Sequence, residues 1–568
     1  MLYSKLTELY TQLSSTTKRL EKIEILSKFF KKLDEKESYI LYLLEGNIYP
    51  SYDERKIGIS NQLAIKSISK ATGTNQKKIQ ELWRKMGDLG EVSKKLTETK
   101  TQRTLASHTL TTIKVLENLR KLPELIGKGT IDKKISLITE LLTSASPEEA
   151  LYLVRTLLGD LRIGVQESTI KYSLLKAFFN DDKEKEPSIQ RAIDKTNDLA
   201  KVFEISKKSD IKKLDSLELE VGKPIKAMLA QKTISIKQAF KDLGKPLAAE
   251  YKYDGFRLLI HKKGDKITLF TRRLENVTKQ FPEVERYIQN NLKGKSFILD
   301  SEAVGYDKKT KKYTDFQAIS QRIRRKHNIK KLEESLPVEI NIFDILYYNG
   351  KSLLDKPFKE RTKLLRKIIK KEPFKIAPSK MIITSSEKEI EKFYKEALKN
   401  NQEGIMLKNL DAEYKPGRRV GHMLKLKPNK KDFDLVITGA EWGTGKRKGW
   451  LSSFTLSCKK GNKFLEIGKS STGLKEKKEE GLSYEELTDL LKPHIEEQNE
   501  RAVKISPKIV VAVTYQDIQK SSNYESGLAL RFPRFVALRE DKPISEITTL
   551  EELEEEFIDQ KKENYKYN

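Results

Sequence analysis

The fold of this chain is decided by the segment Glu250-Tyr251-Lys252-Tyr253-Asp254-Gly255-Phe256-Arg257. Its alternation of residue types is typical of a β-strand, in which Glu250 and Lys252 share one face while Tyr251 and Tyr253 share the other. The pattern lysine-x-aspartate-glycine fixes only three positions, so roughly one chain in ten to twenty of this length contains it by chance. Its meaning therefore depends on what surrounds it in the sequence.

The periodicity of apolar residues changes on either side of this segment. Residues 1–220 repeat apolar side chains at helical spacing, as at Leu6, Leu9 and Leu13, which predicts an all-α domain. Residues 221–430 contain short β-rich stretches between turns, which predict a mixed α/β domain. Residues 431–568 contain short apolar strands and turn signals, which predict an all-β barrel that ends in an acidic helical tail.

Composition limits the classes of protein to which the chain can belong. The 568 residues suggest three or four domains, and the 37% of hydrophobic residues argue against wholesale disorder. The net charge is +29, of which +24 lies in residues 221–430, so a polyanionic partner is expected. A single cysteine, Cys458, excludes an internal disulfide framework and a cysteine-rich zinc site. Without a long apolar run or a signal peptide, the chain is expected to be intracellular, with no membrane partner.

Six short motifs follow one another in an order that gives the first segment its meaning. They are Lys252-Tyr253-Asp254-Gly255, Phe270-Thr271-Arg272, Asp300-Ser301-Glu302, Phe343-Asp344, Glu403-Gly404-Ile405-Met406-Leu407-Lys408 and Lys425-Leu426-Lys427. A seventh stretch begins at Ala529 and ends with Arg539-Glu540-Asp541-Lys542. This order and spacing resemble the ATP-dependent DNA ligases of the archaeal and eukaryotic replicative type, within the covalent nucleotidyltransferase superfamily.

The resemblance implies a fold class for each part of the chain. Residues 1–220 would form an all-α DNA-binding domain, and residues 221–430 an α/β adenylylation domain with an ATP-grasp-like nucleotidyltransferase fold. Residues 431–568 would form an all-β OB-fold domain that carries the seventh stretch. The reaction implied is the sealing of nicks in double-stranded DNA in replication, recombination and repair, through a lysine–AMP intermediate and an adenylylated 5′-phosphate.

The residue types of the motifs suit this chemistry. A lysine amine attacks the α-phosphate of ATP only when it is deprotonated, so Lys252 needs cationic neighbours or partial desolvation, and Arg257 and Arg272 are candidates to provide them and to bind phosphate. The departing pyrophosphate carries several negative charges, which Lys425 and Lys427 would neutralise together with Mg²⁺.

Two carboxylates and one ring are further candidates in the same region. Glu302 and Glu403 could bind ribose or a hard cation, because Mg²⁺ prefers carboxylate oxygen; Mn²⁺ is the alternative metal. By resemblance, Phe343 stacks on the adenine and the region of Glu250 reads the adenine amino group. Judged alone, Phe343 would be a core residue and Glu250 a surface carboxylate.

The remaining assignments rest on the resemblance. Alternation cannot decide between Arg272 and Arg273, and the motif favours Arg272. Of the adjacent Arg418 and Arg419, the spacing from Lys425 favours Arg419. In the C-terminal stretch, the resemblance implies that Arg539 and Lys542 move over the pyrophosphate during the first step.

Partners are also implied by resemblance. The segments Tyr42 to Pro50, Leu158 to Val165 and Gly222 to Ala230 look like a DNA-binding domain, which implies nicked double-stranded DNA as the substrate and a monomer at work at the nucleoid of an archaeal-type cell. A sliding clamp is a weaker candidate partner. Gln102-Arg103-Thr104-Leu105-Ala106 lacks the expected aromatic residues, and the periodicity of Leu26-Ser27-Lys28-Phe29-Phe30 favours helix core.

Other functions remain open at the level of sequence. The chain could be an RNA ligase or a GTP-dependent capping-type nucleotidyltransferase, or a nucleic-acid-binding protein whose catalytic site has decayed. Ligases that use NAD share the lysine motif but need four cysteines for a zinc element, and this chain has one cysteine.

Overall fold

The computed structural model describes most of the chain: residues 1–99, 109–127, 129–314, 319, 322–323, 325, 327–417, 420–428, 432–476 and 482–566. The chain divides into two compact units. The first contains Met1–Gly73 and Ser93–Lys427, and the second contains Thr74–Val92 and Pro428–Asn568. Within the described residues, no helix has both the length and the apolar character needed to cross a membrane.

The N-terminal part of the chain is helical, as the apolar spacing predicts. Its helices are α1 (Tyr3–Ser14), α2 (Arg19–Lys32), α3 (Ile40–Leu44), α4 (Asn61–Thr72), α5 (Gln76–Met86), α6 (Leu89–Glu98), α7 (Thr112–Lys121), α8 (Thr130–Ser144), α9 (Pro147–Leu157), α10 (Glu167–Phe178), α11 (Glu186–Thr196), α12 (Leu199–Lys207) and α13 (Ile211–Asp215). Local sequence explains individual helix starts. Helix α9 begins with a proline and a capping box, in which Ser146 and Glu149 bond each other's backbone amides.

The two segments considered for clamp binding differ in whether the structure describes them. Gln102 to Ala106 lie outside the described residues. The other segment lies in α2, where Leu26 and Phe30 are fully buried and the Phe30 ring packs edge-on against Phe203. This agrees with the expectation that these side chains form helix core.

Two sheets with their own helices make up the rest of the first unit. The five-stranded sheet has the order β1 (Gln231–Lys232), β11 (Met423–Leu426), β10 (Gly404–Asn409), β2 (Leu247–Lys252) and β9 (Met381–Thr384). The six-stranded sheet has the order β4 (Lys266–Thr271), β3 (Phe256–Lys263), β5 (Ser296–Gly305), β6 (Val338–Tyr348) and β7 (Lys351–Ser352), with β8 (Ile376–Pro378) also paired to β6. The helices are α14 (Ile236–Leu243), α15 (Pro282–Asn291), α16 (Ile329–Ser335), α17 (Phe358–Ile368) and α18 (Glu387–Lys399).

Each sheet buries an apolar face under its helices. Strands β2 and β10 pack against α14 and α18, whereas β3, β5 and β6 pack against α15 and α17. The chain crosses from the first sheet to the second directly after Lys252, so the lysine-x-aspartate-glycine motif forms the connection from β2 to β3. The mixed α/β architecture predicted for this region is thereby confirmed.

The second unit is built on an antiparallel sheet, which agrees with the all-β domain predicted for the C-terminal region. Its strands are β12 (Phe433–Trp442), β13 (Leu451–Lys460), β14 (Lys463–Ser470), β15 (Ile495–Asn499), β16 (Ala502–Ile505), β17 (Val510–Thr514) and β20 (Arg534–Leu538), beside a hairpin of β18 (Asp517–Lys520) and β19 (Leu528–Arg531). Helix α19 (Tyr484–Leu491) and the acidic α20 (Leu550–Lys566) pack on its core.

Helix α5 belongs to this second unit although its sequence lies among the N-terminal helices. Arg84 on α5 donates a hydrogen bond of 2.8 Å to Glu500, and the side chain of Lys448 lies against Gly87, directly after the helix. The local apolar spacing correctly predicts a helix here. It does not contain the information that this helix packs with residues more than 350 positions later.

His261 on β3 is a buried titratable group in the core of the first unit. Its ring accepts a hydrogen bond of 3.0 Å at Nδ1 from the Gly222 amide and packs edge-on against Phe270, while Nε2 has no hydrogen-bond partner within the described part of the chain. Burial lowers the pKa of His261 from 6.5 to about 3. The folded protein therefore holds a neutral imidazole at neutral pH.

Acid should destabilise the protein through this histidine. Below pH 6.5 His261 binds a proton in the unfolded chain, whereas in the folded chain it stays neutral until about pH 3. The free energy of unfolding therefore decreases as the pH falls across that interval, by up to about 1.4 kcal/mol per pH unit. Urea unfolding at pH 6.5, 5.5 and 4.5 should show a shallower acid dependence for His261→Asn, which can still accept from Gly222. Equal slopes for the wild type and the variant would contradict the prediction.

Candidate active site

Two lysines meet one carboxylate where β2, β10 and β11 come together. Strands β2 and β10 are antiparallel with Lys252 opposite Gly404, and the Glu403 amide donates a 2.9 Å hydrogen bond to the Lys252 carbonyl. The Lys252 Nζ lies 2.8 Å from Glu403 Oε2, and Lys427, directly after β11, forms a second ion pair with the same oxygen. The three side chains are 19–26% exposed, so they are accessible to a ligand yet partly desolvated.

The pKa values of the two carboxylates at this site, Glu302 and Glu403, are shifted in opposite directions. Burial by itself raises the pKa of Glu403, but the positive charges of Lys252 and Lys427 outweigh it and lower the value to about 2. Burial raises the pKa of Glu302 to about 8, against the opposing effect of Lys252 and Arg257. Glu403 is thus ionised at neutral pH, whereas Glu302 becomes fully ionised only when a further positive charge stabilises its carboxylate.

Two glycines let the strands approach closely at this point. A Cβ atom at Gly255 would overlap the carbonyl oxygen of Ala303 on β5 and reach the Glu302 side chain. A Cβ atom at Gly404 would overlap the Leu426 carbonyl oxygen, and the φ of +139° at Gly404 disfavours any L side chain. Both motifs therefore require glycine at these positions, because the backbone around Lys252 packs too closely to admit a side chain.

Arg257 is held by a buried network. Its Nε donates a 2.7 Å hydrogen bond to Asp300 and its Nη1 donates one of 3.0 Å to the Met228 carbonyl. The Tyr414 hydroxyl donates to Asp300 at 2.7 Å and accepts from the Met228 amide at 3.0 Å. Burial opposes the guanidinium charge, but Asp300 and Tyr414 raise the pKa of Arg257 above its ordinary value. The charge of Arg257 is therefore paired with a buried carboxylate within the protein itself.

Phe343 lies between two cations at the half-buried centre of β6. The Arg257 guanidinium lies 5.3 Å from the ring centroid and the Lys408 ammonium 5.0 Å from it. Lys408 also forms a buried ion pair of 2.6 Å with Glu250. Burial raises the pKa of the Glu250 carboxyl, against the effect of Lys408. Contacts therefore connect Glu250, through Lys408 and Phe343, to Arg257.

The structure thus brings together part of the set expected from sequence. Seven of the expected residues are connected by contacts, by strand pairing or by the electrostatic effects above: Glu250, Lys252, Arg257, Glu302, Phe343, Glu403 and Lys427. Arg272 follows β4 and is exposed, as is Arg273, and Lys425 lies on β11 opposite Met406. Arg418 and Arg419 lie outside the described residues. Arg539 and Lys542 belong to the second unit, where both contact Asp434.

Sequence reasoning missed several residues that support this set. Asp300 and Lys408 stand inside quoted motif stretches, and their position beside predicted site residues was a usable signal, whereas Tyr414 stands in none of these stretches. Asp344 shares a motif with Phe343, but it forms a fully buried bidentate ion pair with Arg361 on α17, which gives it a structural role. Asp434 stands in none of the quoted motifs, so nothing in the local sequence pointed to it.

The donor set fits a divalent cation bound largely through its substrate. Among the described residues, no group of three or more histidine, cysteine or acidic side chains is arranged to hold a metal. Glu302 and Glu403 are the two carboxylates whose charges interact with Lys252, and burial raises the pKa of Glu302 by more than Lys252 and Arg257 lower it. Mg²⁺ is commonly bound by one or two carboxylates together with phosphate oxygens and water, which matches this pair.

Comparison with known proteins gives consistent matches along the chain. Family models match at residues 2–174 (DNA ligase N terminus), 227–427 (ATP dependent DNA ligase domain) and 447–542 (ATP dependent DNA ligase C terminal region). A DNA ligase of Nanoarchaeum equitans (strain Kin4-M) is 43% identical over 559 residues, and one of Thermococcus fumicolans is 40% identical over 560 residues. Each alignment covers 98% of both chains.

A solved structure shares the fold over nearly the whole chain. The structure described as "Pmar-Lig_PreS3" is 18% identical, aligns with a TM-score of 0.58, and is matched over 94% of this chain and 99% of its own. This confirms the expected fold class, a helical N-terminal domain followed by a nucleotidyltransferase domain and an all-β domain. With full-length relatives of 40% identity or more and the three family matches, the chain belongs to the ATP-dependent DNA ligase family.

Proposed function

We propose that this ATP-dependent DNA ligase uses Lys252 as its nucleophile and seals nicks in double-stranded DNA through a lysine–AMP intermediate. The observation that carries the proposal is the placement of the Lys252 amine 2.8 Å from Glu403. Lys427 pairs with the same carboxylate, and the charge of Lys252 also acts on Glu302. The family matches favour this function over an RNA ligase or a GTP-dependent capping enzyme.

The first step forms one bond and breaks another. The neutral Lys252 amine attacks the α-phosphorus of ATP, the nitrogen–phosphorus bond forms, the bond from that phosphorus to the bridging oxygen breaks, and one amine proton is released with pyrophosphate. With a pKa of about 2, Glu403 is too weak a base to keep that proton at neutral pH. Its role is to orient Nζ, and the charge of Lys427 helps to neutralise the phosphates.

The groups around Phe343 are suited to hold the adenosine. The half-buried ring offers a face for stacking, and Glu250 in its buried pair with Lys408 offers carboxylate oxygens to the adenine amino group. Arg257 is fixed by Asp300 and Tyr414, so its orientation is set before ATP arrives. Lys425, Arg272 and Arg419 are proposed phosphate ligands, and Arg539 and Lys542 are proposed to contact the pyrophosphate and to act mainly in this step.

Glu302 and Glu403 would hold Mg²⁺, with Mn²⁺ as the alternative. The bound metal would supply charge neutralisation at the phosphates. Without it, Glu302 would remain largely protonated at neutral pH because burial raises its pKa to about 8.

Steps two and three act on DNA. AMP passes from Lys252 to the 5′-phosphate of the nick, and the 3′-hydroxyl then displaces AMP to close the strand. The segment from Gly159 to Gly164 is suited to a grip on phosphates that is independent of sequence, because both glycines have left-handed φ near +65° and expose backbone beside Arg162. We propose that the enzyme serves replication, recombination and repair as a monomer at the nucleoid, with a sliding clamp as a candidate partner.

A labelling experiment tests this function directly. The purified protein is incubated with α-labelled ATP or α-labelled GTP in the presence of Mg²⁺, and nicked DNA or a nicked RNA duplex is then added. We expect covalent label from ATP that nicked DNA removes as the strand is sealed. Label from GTP alone, or sealing of the RNA duplex alone, would contradict the proposal.

A further inference from the structure

Asp434 on β12 binds two cationic side chains of the C-terminal stretch, Arg539 and Lys542. Arg539 Nη1 donates hydrogen bonds of 2.8 and 3.0 Å to the two carboxylate oxygens of Asp434. Lys542 Nζ donates one of 2.6 Å to Oδ2 of the same carboxylate. A single carboxylate thus holds two side chains that the sequence separates from it by more than a hundred residues.

The position of Asp434 is itself fixed by the backbone. Its amide donates a 3.1 Å hydrogen bond to the Thr548 hydroxyl, and its carbonyl accepts one of 2.9 Å from the Thr548 amide. Strand pairing places Asp434 opposite Ala512 of β17. The side chain is only 12% exposed, so its hydrogen bonds to Arg539 and Lys542 are partly shielded from water.

The other edge of Arg539 is occupied quite differently. Its Nε and Nη2 each donate a 2.9 Å hydrogen bond to the carboxylate of Asp541, two residues further along the chain. Asp541 is 69% exposed, so water competes with this contact, and replacing Asp541 by another anion costs little free energy. The Nε–Nη2 edge of a guanidinium is the fork that binds two phosphate oxygens side by side.

We propose that Asp434 is a positioning residue for the first step of ligation. It anchors Arg539 through Nη1 and Lys542 through Nζ, so that the exposed Nε–Nη2 edge can exchange Asp541 for oxygens of the pyrophosphate while both cations keep their places. Without the carboxylate, two positive side chains three residues apart repel each other and lose their common orientation. The inference rests on the proposed role of Arg539 and Lys542 in enzyme adenylylation.

The test compares Asp434→Asn with the wild type in two assays. The first measures the rate of covalent labelling by α-labelled ATP at increasing ATP concentrations, and the second measures sealing of a nick that already carries a 5′-adenylate and needs no ATP. Glu441→Gln is the matched control, because Glu441 lies on the same strand and pairs with Lys469 on the surface. Thermal unfolding of all variants is recorded alongside.

We expect Asp434→Asn to lower the labelling rate by about tenfold to a hundredfold, the range in which a small misplacement of a binding group acts, and to raise the KM for ATP. Sealing of the adenylylated nick and the behaviour of Glu441→Gln should stay near the wild type. Equal losses in both assays would show a merely structural role, and unchanged labelling would show no role; either result overturns the inference.

Arg539→Ala and Lys542→Ala separate this inference from the proposed function. If both variants label at the wild-type rate, the proposed role of these cations in the first step is wrong. If both lose labelling while Asp434→Asn retains it, only the role of Asp434 is wrong.

Discussion

Lys252→Ala is expected to form no labelled enzyme from α-labelled ATP, a loss of more than about a thousandfold, because no other group replaces a missing nucleophile. The structure makes this expectation specific. Lys252 ends β2 beside Glu403, and close packing at Gly255 and Gly404 fixes the backbone around it. Gel electrophoresis of the denatured protein after incubation with ATP and Mg²⁺ measures the covalent label.

The variant should still act on DNA that is already activated. Sealing of a nick with a 5′-adenylate needs no transfer from lysine, so Lys252→Ala should retain part of this activity. Lys266→Ala, an exposed lysine on β4, is the control for loss of one positive charge in the same unit and should label normally. Covalent label on Lys252→Ala would show that another residue is the nucleophile.

Glu403→Gln is expected to slow enzyme labelling by about a hundredfold, the scale on which removing an orienting or metal-binding carboxylate acts. The substitution keeps the side-chain shape but leaves Lys252 and Lys427 without their common anion. It also removes one of the two carboxylates proposed to hold Mg²⁺, so the Mg²⁺ concentration that gives half-maximal labelling should increase. Labelling rates across a Mg²⁺ titration measure both effects.

Affinity for nicked DNA separates this effect from general damage. Binding of DNA depends on many phosphate contacts, so loss of one carboxylate should change the dissociation constant by no more than about twofold. Glu333→Gln removes a carboxylate that pairs with Arg286 on the surface of the same unit, and it should leave labelling unchanged. A Glu403→Gln enzyme that seals nicks at the wild-type rate would count against both proposed roles of Glu403.

Local sequence predicts the elements of this fold better than their partners. Apolar spacing gives the helices before residue 216 and the strands from β2 onward, because each depends on which side of a short segment is buried. Pairing over long distances is different. The contact of Arg84 with Glu500 joins distant parts of the chain, and the periodicity of a short segment carries no information about such a contact.

The candidate site shows the same division. Lys252, Glu403 and Lys427 could be named because each stands in a recognisable motif, and strand register then brings them into contact. Their electrostatic state could not be predicted, since the opposite pKa shifts of Glu302 and Glu403 depend on burial and on which cations lie nearest. Asp434 was missed because its role appears only in the folded sheet, where β12 and β20 both pair with β17 and the segment after β20 brings Arg539 and Lys542 to Asp434.

The grouping of Thr74–Val92 with Pro428–Asn568 has a consequence for recombination between related genes. A single crossover near residue 428 would join the C-terminal all-β region of one protein to the N-terminal sequence of another, and this region would then pack against an α5 from a different parent. The residues that face each other there, such as Arg84 and Glu500, would come from different parents. Chimeric proteins should therefore remain intact more often when α5 and the all-β region are inherited together, as a double exchange.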